Sequence, residues 1–247
     1  MSRGDVVGGR RAALEAVRSG RASEVLVVAG SRRTPGLREL LDAAHEAGVP
    51  VTTASRQELD RLIPDHQGVV ARAARPGELT ERDLSTWAFS EDAVVVVLDG
   101  VTDPQNLGAA ARSAEAAGAV MLVTRVRRSA PVNAAAVRAS AGALLHLPHA
   151  RVANVTRALG RLQDAGFFVV GLDGNADVSV YDDPCPSGRV ALVLGGEGSG
   201  LSRLVRERCD ALVALPMAGR VSSLNASAAL AAVLYAYVVP SRAWGRA

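Results

Sequence analysis

With 247 residues, 49% of them hydrophobic, the chain is long enough for one or two domains and a substantial core. Aromatic residues make up only 3%, so the core must be built from Ala, Val and Leu, and a base-stacking platform for single strands is disfavoured. All 28 basic residues are Arg and the formal charge is only +3, so local Arg clusters say more about a nucleic-acid partner than net charge does.

In chain order, residues 8–19 predict a helix with Ala12, Ala13, Ala16 and Val17 on one side and arginines on the other. EVLVVAG (24–30) predicts a short buried strand, and residues 35–48 a helix closed by Gly48. A strand at 49–55, a helix at 56–63 capped by Ser55 and a strand at 68–74 complete an α/β unit of about 75 residues. Residues 75–91 lose this rhythm, so a linker is expected at 76–91, between a first domain at 1–75 and a second at 92–247. The second begins with AVVVVLDG (93–100), a strand of the buried parallel type. Helix 106–117, strand 119–124, a helix through 132–141, helix 151–165 and strand 167–172 follow. Strand 189–194, helix 201–207, strand 211–215 and helix 225–238 finish the chain. The alternation predicts an α/β fold whose mostly parallel sheet is covered on both faces.

The first residues carry no apolar core of a signal peptide, and the apolar stretch 226–239 is too short and Ala-rich for a membrane span. Cys185 and Cys209 form no CxxC pair; reduced thiols and a cytoplasmic location are expected. His146 and His149, in HLPH, lack a third metal ligand nearby, so no metal is expected; His45 and His66 are expected to face solvent.

Three segments place unusual residues between a strand and a helix, where ligands collect in open parallel sheets. In LDGVTDPQNLGAAARSAEAAGA (98–119), Asn106 stands where the helix should begin and Arg112 lies six residues on, about 600° around the axis. Asn106 reads as an N-cap, and Arg112 as either a solvated cation or a functional one. VALVLGGEGSGLSRLV (190–205) holds a glycine turn that matches neither a Walker loop, a GxGxxG fingerprint nor a GxSxG elbow. Glu197 within it would repel a pyrophosphate, so the turn suits a ligand needing close backbone approach without several phosphates. In LPMAGRVSSLNASAALAAVLYA (215–236), Ser222, Ser223 and Asn225 are more polar groups than one helix cap requires.

In order and spacing, these three segments resemble the three motifs of the SpoU (TrmH-like) branch of the SPOUT RNA methyltransferases. The opening VVGGRRAALEAV resembles the small L30e/L7Ae-like RNA-binding domain that precedes the catalytic domain in ribosomal-RNA ribose methyltransferases of that branch. The resemblance implies a C-terminal SPOUT domain with a deep trefoil knot, a homodimer, and S-adenosylmethionine as methyl donor. It implies 2′-O-methylation of RNA, nearest to the enzymes acting on a guanosine of 23S ribosomal RNA. Related roles on transfer RNA, in antibiotic resistance through ribosomal RNA, or in non-catalytic RNA binding stay open. Carried over by motif, Arg112, Asn106, Glu197, Ser223 and Asn225 form the catalytic group. Gly195, Leu215, Leu224, Met217 and Gly219 are the implied cofactor residues. Arg10, Arg11, Arg18, Arg21, Arg32 and Arg33, with Arg125, Arg127 and Arg128, are candidate phosphate contacts, foremost Arg10, Arg11, Arg32 and Arg33.

Overall fold

The strands divide between two sheets in a computed structural model that describes residues 5–64, 66–74, 79–182, 184–221 and 223–241. The smaller sheet holds β1 (Asp5–Gly8), β2 (Ala22–Val28), β3 (Val51–Ala54) and β4 (Val69–Ala73) in the order β1-β4-β2-β3, with only β2 and β3 parallel. Strand β1 was not anticipated. Four residues ending in glycine are too short to show a period of two. The helix expected from residue 8 starts at Arg10 because Gly8 still pairs with Val70 and Gly9 turns the chain at φ +101°.

Local chemistry sets the helices of this unit. In α2 (Pro35–Glu46), Thr34 accepts from the Leu37 N–H and Pro35 occupies the first turn, where its missing N–H costs nothing. In α3 (Arg56–Leu62), Ser55 and Glu58 form a reciprocal capping box. His66 is buried, not solvent-facing: it contacts Asp60 through Nε2 at 3.0 Å, and its Nδ1 accepts from the Gly68 N–H at 2.9 Å. Buried imidazole is tolerated because both ring nitrogens have partners.

The larger sheet holds β5 (Val94–Asp99), β6 (Met121–Arg125), β7 (His149–Val152), β8 (Phe168–Leu172), β9 (Val190–Gly195) and β10 (Ala211–Val213). Its order is β10-β8-β9-β5-β6-β7, and every pair is parallel. Edge strand β7 occupies the start of an expected helix; Asn154 caps that helix later, so α7 runs Val155–Asp164. On one face lie α5 (Pro104–Ala116), α6 (Ala134–Ala139) and α9 (Ala226–Val233), the last continuing as a π-helical run over Leu234–Val238. On the other lie α4 (Asp83–Thr86), α7 and α8 (Arg203–Arg208). Residues 75–78, at the expected boundary, lie outside the described residues. Further along the expected linker, Leu84 of α4 is fully buried beneath α7. There Glu81 accepts hydrogen bonds from Arg157 and Arg161, and these, Arg157's first, hold its carboxyl below the usual carboxylate range.

The two units share one core. Residues of α1 (Arg10–Arg18), including Ala13 and Ala16, join the same buried cluster as Leu144 and Leu145. Arg21 Nε donates to the Leu145 carbonyl at 2.6 Å, Arg138 donates to the Pro64 carbonyl at 3.1 Å, and His146 Nε2 lies 3.0 Å from Glu15 Oε2. Thus α5 and α6 sit between the larger sheet and the smaller unit. They approach closely because the contact is glycine. A Cβ on Gly108 would lie 2.4 Å from the Ala136 carbonyl oxygen and 2.5 Å from the Ala139 Cβ. Gly108→Ala should cost about 1–3 kcal/mol despite alanine's better helix propensity, because overpacking outweighs propensity here. Urea unfolding checks this; an equal or higher midpoint would show that the helices can separate freely.

Candidate active site

Strand order reverses between β5 and β9: β6 and β7 extend to one side, β8 and β10 to the other. Such a switch point opens a crevice beyond the carboxyl ends of the strands. Asp99 and Gly195 are register partners there. The turn after β9 closes on itself, with the Gly200 N–H donating to the Gly196 carbonyl at 3.0 Å. A Cβ on Gly195 would lie 2.0 Å from the Gly200 carbonyl carbon, and one on Gly196 would lie 2.6 Å from the Gly100 carbonyl oxygen. Glycine is needed so that the turns after β5 and β9 can nest.

Asp99 anchors this arrangement. Its buried carboxylate accepts from the Ser202 N–H at 3.2 Å and Oγ at 2.7 Å, and its other oxygen lies 3.3 Å from Arg125 Nη1. The exit of the glycine turn is therefore tied to the end of β5. Nothing in the motif spacing pointed to Asp99; the available signal was a lone acid ending the apolar run VVVVL.

Asn106 does not cap its helix. Asp103 does, accepting from the Gln105 and Asn106 N–H groups, and this frees the Asn106 amide for long-range contacts. Its Nδ2 donates to Glu197 Oε1. Its Oδ1 accepts from Asn225 Nδ2 at 2.9 Å and from Ser227 Oγ at 3.3 Å. Asn225 is the true cap of α9, accepting from the Ser227 and Ala228 N–H groups. One amide thus joins residues from all three segments. Ser227 was missed; its position two residues after a capping Asn was the signal.

The other candidates fall at varied places. Ser223 is exposed and outside this network, and Ser222 lies outside the described residues. Leu215 packs against the core, Met217 is half-buried, and Gly219 and Leu224 are exposed. Arg112 is exposed on α5, makes no contact with the Asn106 network, and lines a cleft against the smaller unit. Of the arginines, Arg11, Arg32 and Arg33 are exposed, and Arg10 donates to Thr34 Oγ1 at 3.0 Å. Arg18 pairs with Glu39, Arg21 donates to the Leu145 carbonyl, and Arg125 lies against Asp99. Among the described residues, no group of three or more His, Cys, Asp or Glu side chains is placed to hold a metal. Burial, reinforced by the Asp210 and Asp99 charges, pushes the Cys209 thiol up to about 12 and makes it a poor nucleophile.

A parallel sheet with polar groups converging at its switch point, joined to a small unit presenting arginines, defines an α/β protein of two units with its candidate site at the strand ends. Residues 93–235 match the SpoU rRNA Methylase family, and residues 6–79 match the module described as RNA 2′-O ribose methyltransferase substrate binding. The chain belongs to the SpoU rRNA methylase family. It is 42% identical over 218 residues to the 23S rRNA (guanosine-2′-O-)-methyltransferase RlmB of Salmonella typhimurium, covering 87% of this chain and 89% of that one. The SpoU methyltransferase AviRb from Streptomyces viridochromogenes, solved in complex with AdoMet, superposes with a TM-score of 0.77 at 32% identity, over 99% of this chain and 92% of AviRb. A crystal structure titled RNA 2′-O ribose methyltransferase gives a TM-score of 0.80 at 26% identity, over 97% and 89% of the two chains.

Asp99→Asn should lower stability by about 1.5–3 kcal/mol, since it removes the charge shared by Ser202 and half-buried Arg125. Equilibrium unfolding measures it; an unchanged free energy would mean that these contacts do not anchor the turn.

Proposed function

We propose that this protein transfers a methyl group from S-adenosylmethionine to a ribose 2′-hydroxyl of RNA, specifically a guanosine of 23S ribosomal RNA. The observation that carries this is the Asn106 amide, which joins all three motif segments at the switch point. The Salmonella relative's named reaction and the cofactor-bound AviRb structure support the substrate and the donor.

The chain offers a fitting cradle for the donor. Gly198 and Gly200 have positive φ, and nothing lies within 4 Å of where their Cβ atoms would be, so their backbone is bare on the open side. Leu215, Met217 and Leu224 supply partly exposed apolar side chains for an adenine face. In this reading the main chain at Gly195, Leu215 and Leu224 holds the donor, with Met217 and Gly219 beside it. When bound, S-adenosylmethionine supplies an electrophilic methyl carbon.

The protein's task is then alignment and charge. Holding the hydroxyl in line can supply roughly 7–11 kcal/mol of barrier reduction. In this reading the guanidinium of Arg112 is a fixed cation that stabilises the oxygen as it loses its proton, because guanidinium chemistry suits charge stabilisation and not base catalysis. Asn106, Glu197 and Asn225 hold the glycine turn, α5 and α9 in one geometry, and Ser223 borders the donor. Residues 1–75 take the RNA, with Arg10, Arg11, Arg32 and Arg33 contacting phosphates; residues 76–91 connect; residues 92–247 catalyse, with the knot of the family at their end. The work on ribosomal RNA is placed in the cytoplasm; no helix among the described residues is long and apolar enough to cross a membrane.

Arg112→Ala should keep donor affinity in calorimetry while turnover on 23S ribosomal RNA drops about 10²–10³-fold. Undiminished methylation by that variant ends this assignment. The protein should also act as a homodimer, for which exposed Val221 and Tyr235 offer apolar surface. Sedimentation equilibrium should give twice the 25.5 kDa chain mass, and a monomer at micromolar concentration would remove the dimer.

A further inference from the structure

Asp99 is the one buried carboxylate among the described residues, 4% exposed, and it ends a strand that needs no charge there. A carboxylate taken out of water is costly unless it is paired and hydrogen-bonded. The sheet register delivers its partners from both sides. Leu98 pairs with Thr124, so Arg125 of β6 comes next to Asp99, and Asp99 itself pairs with Gly195 of β9. The pairing is uneven. Oδ2 accepts two hydrogen bonds, whereas buried Oδ1 accepts none among the described residues and has only the Arg125 charge at 3.3 Å. A group serving the core alone would have both oxygens satisfied.

Ser202 shows where the carboxylate acts. It stands at the N-cap of α8 in extended conformation, where a serine hydroxyl ordinarily accepts from the first N–H groups of its own helix. It makes no such bond. Its hydroxyl donates instead to Asp99 Oδ2 at 2.7 Å, and its N–H donates to the same oxygen at 3.2 Å. Ser202 is exposed, so packing does not fix it there; the two hydrogen bonds do.

The stretch between Gly195 and Ser202 needs such a fastening. Glu197, Gly198, Ser199 and Gly200 are all exposed, and Gly198 and Gly200 hold φ of +73° and +62°. Glycine backbone of this kind has wide freedom unless its ends are held. Asn106 reaches the turn at Glu197, and Asp99 holds its exit at Ser202. Between these two points the Gly200 N–H closes on the Gly196 carbonyl, and Gly196 nests on the Gly100 carbonyl.

We propose that Asp99 is a positioning residue for the methyl donor: acting through Ser202, it holds the main chain of Gly195–Gly200 in the conformation that receives S-adenosylmethionine, with Arg125 as its counter-charge. This rests on the methyltransferase reading above. It adds two residues, Asp99 and Ser202, that set donor affinity without touching the donor.

The test uses full-length protein, with S-adenosylmethionine titrated calorimetrically in the absence of RNA. Ser202→Ala should raise the donor Kd about tenfold, the scale of one lost hydrogen bond to a charged group, and Ser202→Thr, which keeps the hydroxyl, should stay within about twofold of wild type. Asp99→Asn should weaken donor binding by about tenfold or more, and the double variant should lie within about twofold of the weaker single, because groups acting through one contact do not add. Filter-measured affinity of Ser202→Ala for a 23S ribosomal RNA transcript should be unchanged. Leu59→Ala opens a cavity in the smaller unit's core and lowers stability, yet should leave donor affinity unchanged. In hydrogen exchange without donor, peptides covering residues 195–202 should exchange at least about tenfold faster in Ser202→Ala while those of β5 do not. Donor affinity within twofold of wild type in both Ser202→Ala and Asp99→Asn overturns the proposal, as does an equal loss in Leu59→Ala. Wild-type protein that binds no donor would instead overturn the methyltransferase reading, and the exchange of the turn would still judge the hold of Asp99 on it.

Discussion

One carboxamide ties three distant segments of this molecule together. Asn106 donates to Glu197 in the glycine turn and accepts from Asn225 and Ser227 at the head of the last helix. An amide suits the position because it offers a donor and an acceptor at once. Its availability depends on Asp103, which takes over the capping of α5. Asn225 likewise serves twice, capping α9 with its oxygen and reaching Asn106 with its nitrogen. The glycine turn, the start of α5 and the head of α9 are therefore held at a spacing set by hydrogen bonds between side chains.

Around that junction the core relies on small residues. Ala110, Ala111 and Ala114 on α5 are buried, as are Ala136 of α6 and Ala226 of α9. Small side chains let three helices and a second unit crowd one face of the sheet, and Gly108 brings α5 and α6 closer still. The scarcity of aromatics is thus matched to the architecture: bulky rings would hold these helices apart. The opposite face takes longer side chains, with Leu84, Leu159, Leu162 and Phe167 filling the space under α4, α7 and α8.

The helix α5 presents two polar groups on two sides. Asn106 looks toward the glycine turn and α9, while Arg112, rotated around the axis, looks toward the smaller unit. This separation gives each group its own surroundings. The amide sits in a network of hydrogen bonds; the cation stays exposed, where an RNA oxygen or phosphate can reach it. In the proposed reaction the α5 helix is the rigid element that relates the donor side to the RNA side.

Much of this could be read directly along the chain. The fully buried β5 and β9, the caps at Ser55 and the glycine exit after α2 all follow from local pattern, because apolar runs and turn residues act within a few positions. Strands β1 and β7 escaped notice because four residues carry too little periodicity, and the cap of α5 was misassigned because Asp103 and Asn106 are both good capping residues. The partners of Asn106, the burial of Asp99 and His66, and the shared lining of Arg10, Arg112 and Arg138 belong to the tertiary structure alone. Residues up to 121 positions apart must be folded together before one hydroxyl can find one amide, and no local spacing encodes that distance.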